Sequence, residues 1–287
     1  MKVFCILSDE RAAQLKSPEV FSRILKRSGI RGAYVPFCVH MADLGRAIQS
    51  LKVLNIAGAN VTVPFKEAAV PYMDILSEGA NIIGAINTIV INKGKLKGYN
   101  TNAIGFMDAL ADLRFEVDGC RAVVLGTGGA ARAAVFILSW LRSAEVTVAG
   151  RSQAKAARLT RDFRGKAVSL EDLAAGPVAA DLIVNATSVS SAKEAPALAE
   201  LAERLKPDRC RLVFDLNYGR RENIWAAAAA RIGAEFTDGL RALAFQARRT
   251  FALWTGIQVP PEEFVKALEP FDAVRTTTEA LNPGQCV

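Results

Sequence analysis

The sequence predicts an α/β fold in two domains, one of them built on a parallel sheet with helices on both faces. Three observations predict it. At 287 residues and 51% hydrophobic side chains, the chain can bury two cores. Strand and helix signals alternate along its length, the pattern that produces parallel sheets. An apolar strand over 122–125 also runs directly into Gly126-Thr127-Gly128-Gly129-Ala130-Ala131-Arg132, at the head of an apolar helix.

The elements follow in order. Residues 3–7 read as a buried strand. Ser17-Pro18 reads as a helix start, with the serine as N-cap and the proline at the first helical position. Val20, Phe21, Ile24 and Leu25 give that helix its apolar stripe, and Gly29 stops it. A strand over 33–39, a helix over 43–51 and a strand over 55–63 come next. Short helices are expected at 66–72 and 74–78, then a hairpin of 85–91 and 95–99 across Asn92-Lys93-Gly94.

A helix over 103–113 leaves the first unit. The strand at 122–125, a helix to about 142 and a strand over 145–148 open the second. Further strands are expected at 181–184 and 212–216, with a helix around the alanine run 226–230. The amphipathic run 240–254 reads as a long helix returning to the first domain. The tail over 276–287, with Asn282-Pro283-Gly284, reads as a flexible end.

The formal charge of +7 raises nucleic-acid binding, but Arg151, Lys155, Arg158, Arg161 and Arg164 are scattered and lack interleaved aromatics. The balance points instead to small anionic ligands, with no nucleic-acid or membrane partner. Five dispersed cysteines (Cys5, Cys38, Cys120, Cys210, Cys286) show no metal-ligand spacing and fit free thiols in the cytosol. The apolar run at 3–7 is too short for a signal peptide or a membrane span.

Two stretches carry chemistry. In Asn60-Val61-Thr62-Val63-Pro64-Phe65-Lys66 the strand alternation stops at a proline, which places a threonine hydroxyl close to a lysine ammonium. A desolvated ammonium needs a partner or a purpose. In the glycine loop, Gly126 permits the tight turn, Gly128 lets backbone approach a pyrophosphate, and Ala131 lets helix and strand pack closely. The helix N-terminus supplies free N–H groups to the phosphates. The next strand ends in Gly150-Arg151-Ser152 and has no acid for a ribose 2′-hydroxyl. Arg151, Ser152 and Lys155 suit a 2′-phosphate, so the expected cofactor is NADP(H).

With these pieces in order, the chain resembles the shikimate dehydrogenase family, which includes quinate/shikimate and aminoshikimate dehydrogenases. The marks are 60–66, Gly84-Ala85-Ile86-Asn87-Thr88, 98–105, the glycine loop, Asn185-Ala186-Thr187-Ser188, and the run Gly239…Gln246…Trp254-Thr255-Gly256. The resemblance implies a substrate-binding domain from 1–102 plus 239–275 and a Rossmann-like NADP-binding domain over 103–238, separated by a cleft. It implies interconversion of a hydroxyl and a ketone on a cyclic polyhydroxy carboxylate by a monomer or homodimer. Lys66 would be the catalytic lysine, and Ser17, Thr62, Asn87, Tyr218 and Gln246 would bind substrate. Gly126, Thr127, Gly128, Gly129, Ala130, Arg151, Ser152, Lys155, Thr187 and Gly239 would bind the cofactor.

Two positions depart from the family pattern. The serine usual two positions before Ser17 is Leu15, and the histidine before it is Gln14. The catalytic aspartate falls at Asn102, whose amide keeps the shape but cannot carry a proton at neutral pH. Asn102 fits three accounts: a branch in which Lys66 alone transfers the proton, a substitution made to trap a complex, or a protein that binds without turnover. The last is the alternative reading, a non-catalytic sensor of NADP and a carboxylate.

Overall fold

The structure, a computed structural model, describes residues 1–163 and 165–268, apart from the side chains of Gln14 and Asp162. The tail at 276–287 and positions 269–275 of the expected substrate domain lie outside the described residues. The chain divides into two compact units, Met1–Gly105 with the segment from Ala244 onward, and Phe106–Leu243.

In chain order the first unit holds β1 (Lys2–Ser8), α1 (Ser17–Arg27), β2 (Gly32–Cys38), α2 (Leu44–Val53), β3 (Gly58–Val61), α3 (Phe65–Ala68), β4 (Ile75–Leu76), α4 (Glu78–Ile83), β5 (Thr88–Asn92), β6 (Lys95–Tyr99) and the start of α5 (Thr101–Asp112). The second holds β7 (Arg121–Leu125), α6 (Gly129–Trp140), β8 (Glu145–Ala149), α7 (Gln153–Asp162), β9 (Lys166–Val168), α8 (Leu170–Ala175), β10 (Pro177–Val178), β11 (Leu182–Asn185), α9 (Pro196–Arg204), β12 (Lys206–Pro207), β13 (Leu212–Asp215), α10 (Ile224–Ile232) and β14 (Glu235–Thr237). Helix α11 (Leu240–Thr255) then re-enters the first unit, followed by α12 (Pro261–Leu268).

The first sheet has the order β2-β1-β3-β5-β6-β4. Strands β1, β2 and β3 run parallel, β5 lies antiparallel between β3 and β6, and β6 and β4 return to the direction of the first three. Side-chain alternation gives it two apolar faces. Cys5, Leu7, Ala59, Val61 and Ile89 pack with Leu44, Ile48 and Leu51 of α2 and with Phe65. On the other face Phe4 stacks on Trp254 at 5.0 Å, Phe21 stacks on Tyr34 at 4.7 Å, and Phe264 meets Phe21 and Phe251 edge-on. The Trp254 indole also donates to the Ile89 carbonyl at 3.0 Å. Trp254→Ala is therefore expected to cost about 3–5 kcal/mol of stability in urea denaturation; a loss below about 1 kcal/mol would show that the ring does not hold α11 to the sheet.

The second sheet is wholly parallel, in the order β14-β13-β11-β7-β8-β9. The order reverses beside β7, so the loop after that strand lies at the switch point where open α/β sheets take ligands. Both faces are covered. On one, Val123, Leu125, Ile183 and Val213 pack with Trp225 and with Leu198 and Leu201 of α9.

Four local expectations need correction. Helix α1 begins at Ser17 itself, with Lys16 as N-cap, and the serine makes no capping bond. The third strand covers only Gly58–Val61, because Asn55 turns at φ 52° to close α2. The segment expected as a helix at 74–78 pairs instead as β4 beside β6, where the Leu96 N–H donates to the Asp74 carboxylate at 2.6 Å. Among the thiols, Cys5, Cys120 and Cys210 are free, and burial pushes them up to about 12, 11 and 11, whereas Cys38 is disulfide-bonded. No described helix is long and apolar enough to cross a membrane.

Candidate active site

In the first unit the chain turns toward Lys66 where β3 stops. The Thr62 N–H still donates to the Leu7 carbonyl at 3.2 Å, and the Thr62 carbonyl accepts from Phe65 N–H at 2.8 Å. The turn between them contains a cis Val63-Pro64 bond. Phe65 drops into the core and anchors the turn, and Lys66 follows half-buried on α3. Desolvation lowers the Lys66 ammonium from 10.5 to about 8. It forms no ion pair among the described residues, and the Thr62 hydroxyl makes no hydrogen bond among them. The Lys66 carbonyl accepts from Ile86 N–H at 2.8 Å, which ties α3 to the residue preceding Asn87.

Asn87 is the centre of a buried polar network. Its Oδ1 accepts from the Thr101 N–H at 2.6 Å. Its Nδ2 faces Thr101 Oγ1 at 2.9 Å, Asn102 Oδ1 at 3.0 Å and Gln246 Oε1 at 3.1 Å. Behind it Thr88, Thr101 and Thr250 close a triangle of hydroxyls at 2.9–3.1 Å. Asn60 Nδ2 donates to the Asn87 carbonyl and to Thr88 Oγ1, and Asn60 Oδ1 accepts from the Tyr34 phenol at 2.8 Å. Burial raises the pKa of that phenol well above 10. Asn100 caps the start of α5, accepting from Ala103 N–H at 3.1 Å while donating to the Ala85 carbonyl. Asn102 therefore lies in the first turn of α5, with the positive end of the helix dipole.

The structure thus joins Asn87, Asn102 and Gln246 through one network, which reaches Tyr34 through Asn60, and sets Thr62 and Lys66 on the adjoining turn; Ser17, at the start of α1, makes no side-chain hydrogen bond to it among the described residues. Tyr218 belongs to the second unit, where burial raises its pKa above 10. Sequence reasoning missed Tyr34, Thr88, Thr101 and Thr250. A signal existed for one of them, since Thr250 lies one helical turn beyond Gln246 and shares its face.

In the second unit the glycine loop occupies the switch point. Gly126 has φ +117°, and a Cβ there would come within 2.9 Å of the Ala186 backbone. Gly128 caps α6 without a side chain, and a Cβ there would meet no protein atom within 4 Å, so its smallness leaves room for a ligand. Thr127 packs on Gly150, whose added Cβ would meet its methyl at 2.9 Å. Gly129 and Ala130 form the first turn of α6, whose leading N–H groups suit phosphate. Ser152 caps α7 by accepting from Lys155 N–H at 3.4 Å. Arg151 and Lys155 are exposed and unpaired among the described residues, and no acid stands at the end of β8. This donor set fits a pyrophosphate and a 2′-phosphate.

Thr187 and Gly239 are engaged within the protein. The Thr187 hydroxyl donates to Asn185 Oδ1 at 2.7 Å. A Cβ on Gly239 would lie 2.3 Å from the Leu216 carbonyl oxygen, so glycine is required by backbone approach. Sequence reasoning also missed Asp215, fully buried at the end of β13. Its carboxylate accepts from Asn185 Nδ2, Ser190 Oγ, Asn217 N and Nδ2, and Asn223 Nδ2 at 2.6–3.0 Å. It clamps the loops that follow β11 and β13.

Residues 10–89 match the shikimate dehydrogenase substrate binding domain model, and residues 109–224 match the shikimate/quinate 5-dehydrogenase model. The NADP(+) shikimate dehydrogenase of Halothermothrix orenii is 38% identical over 263 residues, covering 87% of this chain and 89% of that protein. Its counterpart from Geobacillus kaustophilus is 36% identical, covering 84% and 88%. Among solved structures, shikimate dehydrogenase from Aquifex aeolicus superposes with a TM-score of 0.83 at 31% identity, covering 93% of this chain and 97% of that one. The Thermus thermophilus enzyme, in complex with NADP(H) and shikimate, gives 0.82 at 33% identity, covering 94% and 100%. The chain belongs to the shikimate dehydrogenase family.

Proposed function

We propose that this protein is a cytosolic NADP-dependent oxidoreductase that interconverts a hydroxyl and a ketone on a cyclic polyhydroxy carboxylate, shikimate or a close relative. The carrying observation is Lys66. Its desolvated, unpaired amine is joined through its own carbonyl to the segment bearing Asn87, which gathers Asn102 and Gln246. An amine with a pKa of about 8 can give a proton to a developing alkoxide or take one from an alcohol near neutral pH. Thr62, Gln246 and Asn102 orient the ring by hydrogen bonding, Ser17 contributes a hydroxyl from the start of α1, and Tyr34 one at the far end of the network. Arg151, Ser152 and Lys155 hold the 2′-phosphate, and the N–H groups leading α6 hold the pyrophosphate. The chemistry supplied by bound NADP(H) is hydride exchange at the substrate carbon.

The test is an NADP⁺ reduction screen over shikimate, quinate and their amino and deoxy relatives, followed at 340 nm. Turnover of at least one cyclic acid, with preference for NADP⁺ over NAD⁺, is expected. A second reading, a non-catalytic sensor, is favoured by Asn102, where the family pattern carries a proton-bearing aspartate. Tight binding by titration calorimetry, with no turnover of any of these acids, would select it.

A further inference from the structure

One backbone group sets the direction of three side-chain amides. The Thr101 N–H can only donate, so the Asn87 atom 2.6 Å from it is the oxygen. The other terminal atom of Asn87 is then its NH₂, which can only donate. The atoms that Asn102 and Gln246 turn toward it, at 3.0 and 3.1 Å, must therefore be their carbonyl oxygens. Gln246 Oε1 is held a second time, by the Thr101 hydroxyl at 3.1 Å. Both amide nitrogens consequently point away from the network. Neither bonds a described residue, and neither is sealed from solvent. Lys66 adds a cationic donor with no carboxylate paired to it among the described residues.

We infer that Asn102, Gln246 and Lys66 form a donor-only subsite that selects a substrate oxygen bearing no proton, so that the keto form of the cyclic acid binds in preference to the hydroxy form. The inference rests on the cyclic-acid reading above. A carbonyl oxygen brings two lone pairs and satisfies two of these donors. A hydroxyl oxygen accepts in the same way, but its own proton meets weaker acceptors among these three side chains, because Gln246 Oε1 already takes two bonds and Asn102 Oδ1 is turned inward by the bond from Asn87. A buried donor without an acceptor keeps its full desolvation cost. At position 102 the selection is made by the amide itself, since a carboxylate there would accept the hydroxyl proton.

The test is titration calorimetry at pH 7 without cofactor, using shikimate and the ketone derived from it by dehydrogenation. The wild-type protein is expected to bind the ketone about tenfold or more tightly. Asn102→Asp is expected to narrow or invert that ratio by at least about tenfold, and Asn102→Ala, which removes the donor without adding charge, to bring it toward one. Thermal melts establish that each variant is folded. Equal or tighter binding of shikimate by the wild type, or a ratio unmoved in both variants, overturns this inference alone. Binding of neither acid overturns it together with the cyclic-acid reading.

Discussion

Lys66→Ala lowers kcat by about 10²–10⁴-fold, the range typical of removing a general acid or base, while cofactor affinity stays unchanged. The lysine stands on α3 in the first unit, and the phosphate-binding loop stands in the second. Steady-state kinetics with a direct titration of NADP⁺ measures both quantities. A loss below about tenfold would remove Lys66 from the proton transfer. The pH profile carries the same information. Burial holds the ammonium at about 8 rather than 10.5, so ketone reduction, which needs the charged form, falls as pH rises through about 8. Alcohol oxidation, which needs the neutral amine, rises through the same value. Stability follows by linkage. Between about 8 and 10.5 the unfolded chain holds more protons at this residue than the folded one, so this residue makes stability rise with pH in that window. Both pH limbs vanish in Lys66→Ala.

Asn102→Asp raises kcat by about 10²–10⁴-fold, because it restores a group able to accept and carry a proton beside the substrate. The new carboxylate also favours the charged lysine, so the pH limb moves above about 8. The backbone of α5 should tolerate the change: the position lies in the first turn of a helix, where an acid interacts favourably with the dipole, and Asn87 Nδ2 at 3.0 Å is a ready donor to it. Rate and pH limb are both read from kcat against pH. If neither moves, Asn102 does not limit the chemistry, and Lys66 works at its full rate without a carboxylate.

Much of the architecture was legible without coordinates. The stripe Val20, Phe21, Ile24 and Leu25 is wholly buried, and the apolar run into Gly126 is the strand and turn at the switch point. Such features depend on neighbours along the chain, and periodicity and backbone sterics report them directly. Other features were not legible in that way. Within segment 74–78, Ile75–Leu76 became an edge strand because β6 offered a ladder and Leu96 a donor to Asp74, and the helix began only at Glu78. Ser17 became the first helical residue rather than the cap, because the chain enters α1 one residue earlier, at Lys16. Asp215 fell inside an expected strand with no role of its own, and only the approach of Asn185, Ser190, Asn217 and Asn223 made it a clamp.

The sequence by itself determined that this is a two-domain α/β protein with a dinucleotide loop, a cationic end to β8, and a lysine delivered by a proline-terminated strand. It also determined that position 102 carries an amide. What only the tertiary structure decided is the direction in which that amide points and the state of the lysine. Hydrogen-bond direction propagates from a backbone donor at Thr101 through Asn87 to side chains 15 and 159 residues away from it, and desolvation depends on everything packed around an amine. Neither quantity is a property of a segment, so neither can be read until the distant segments have met.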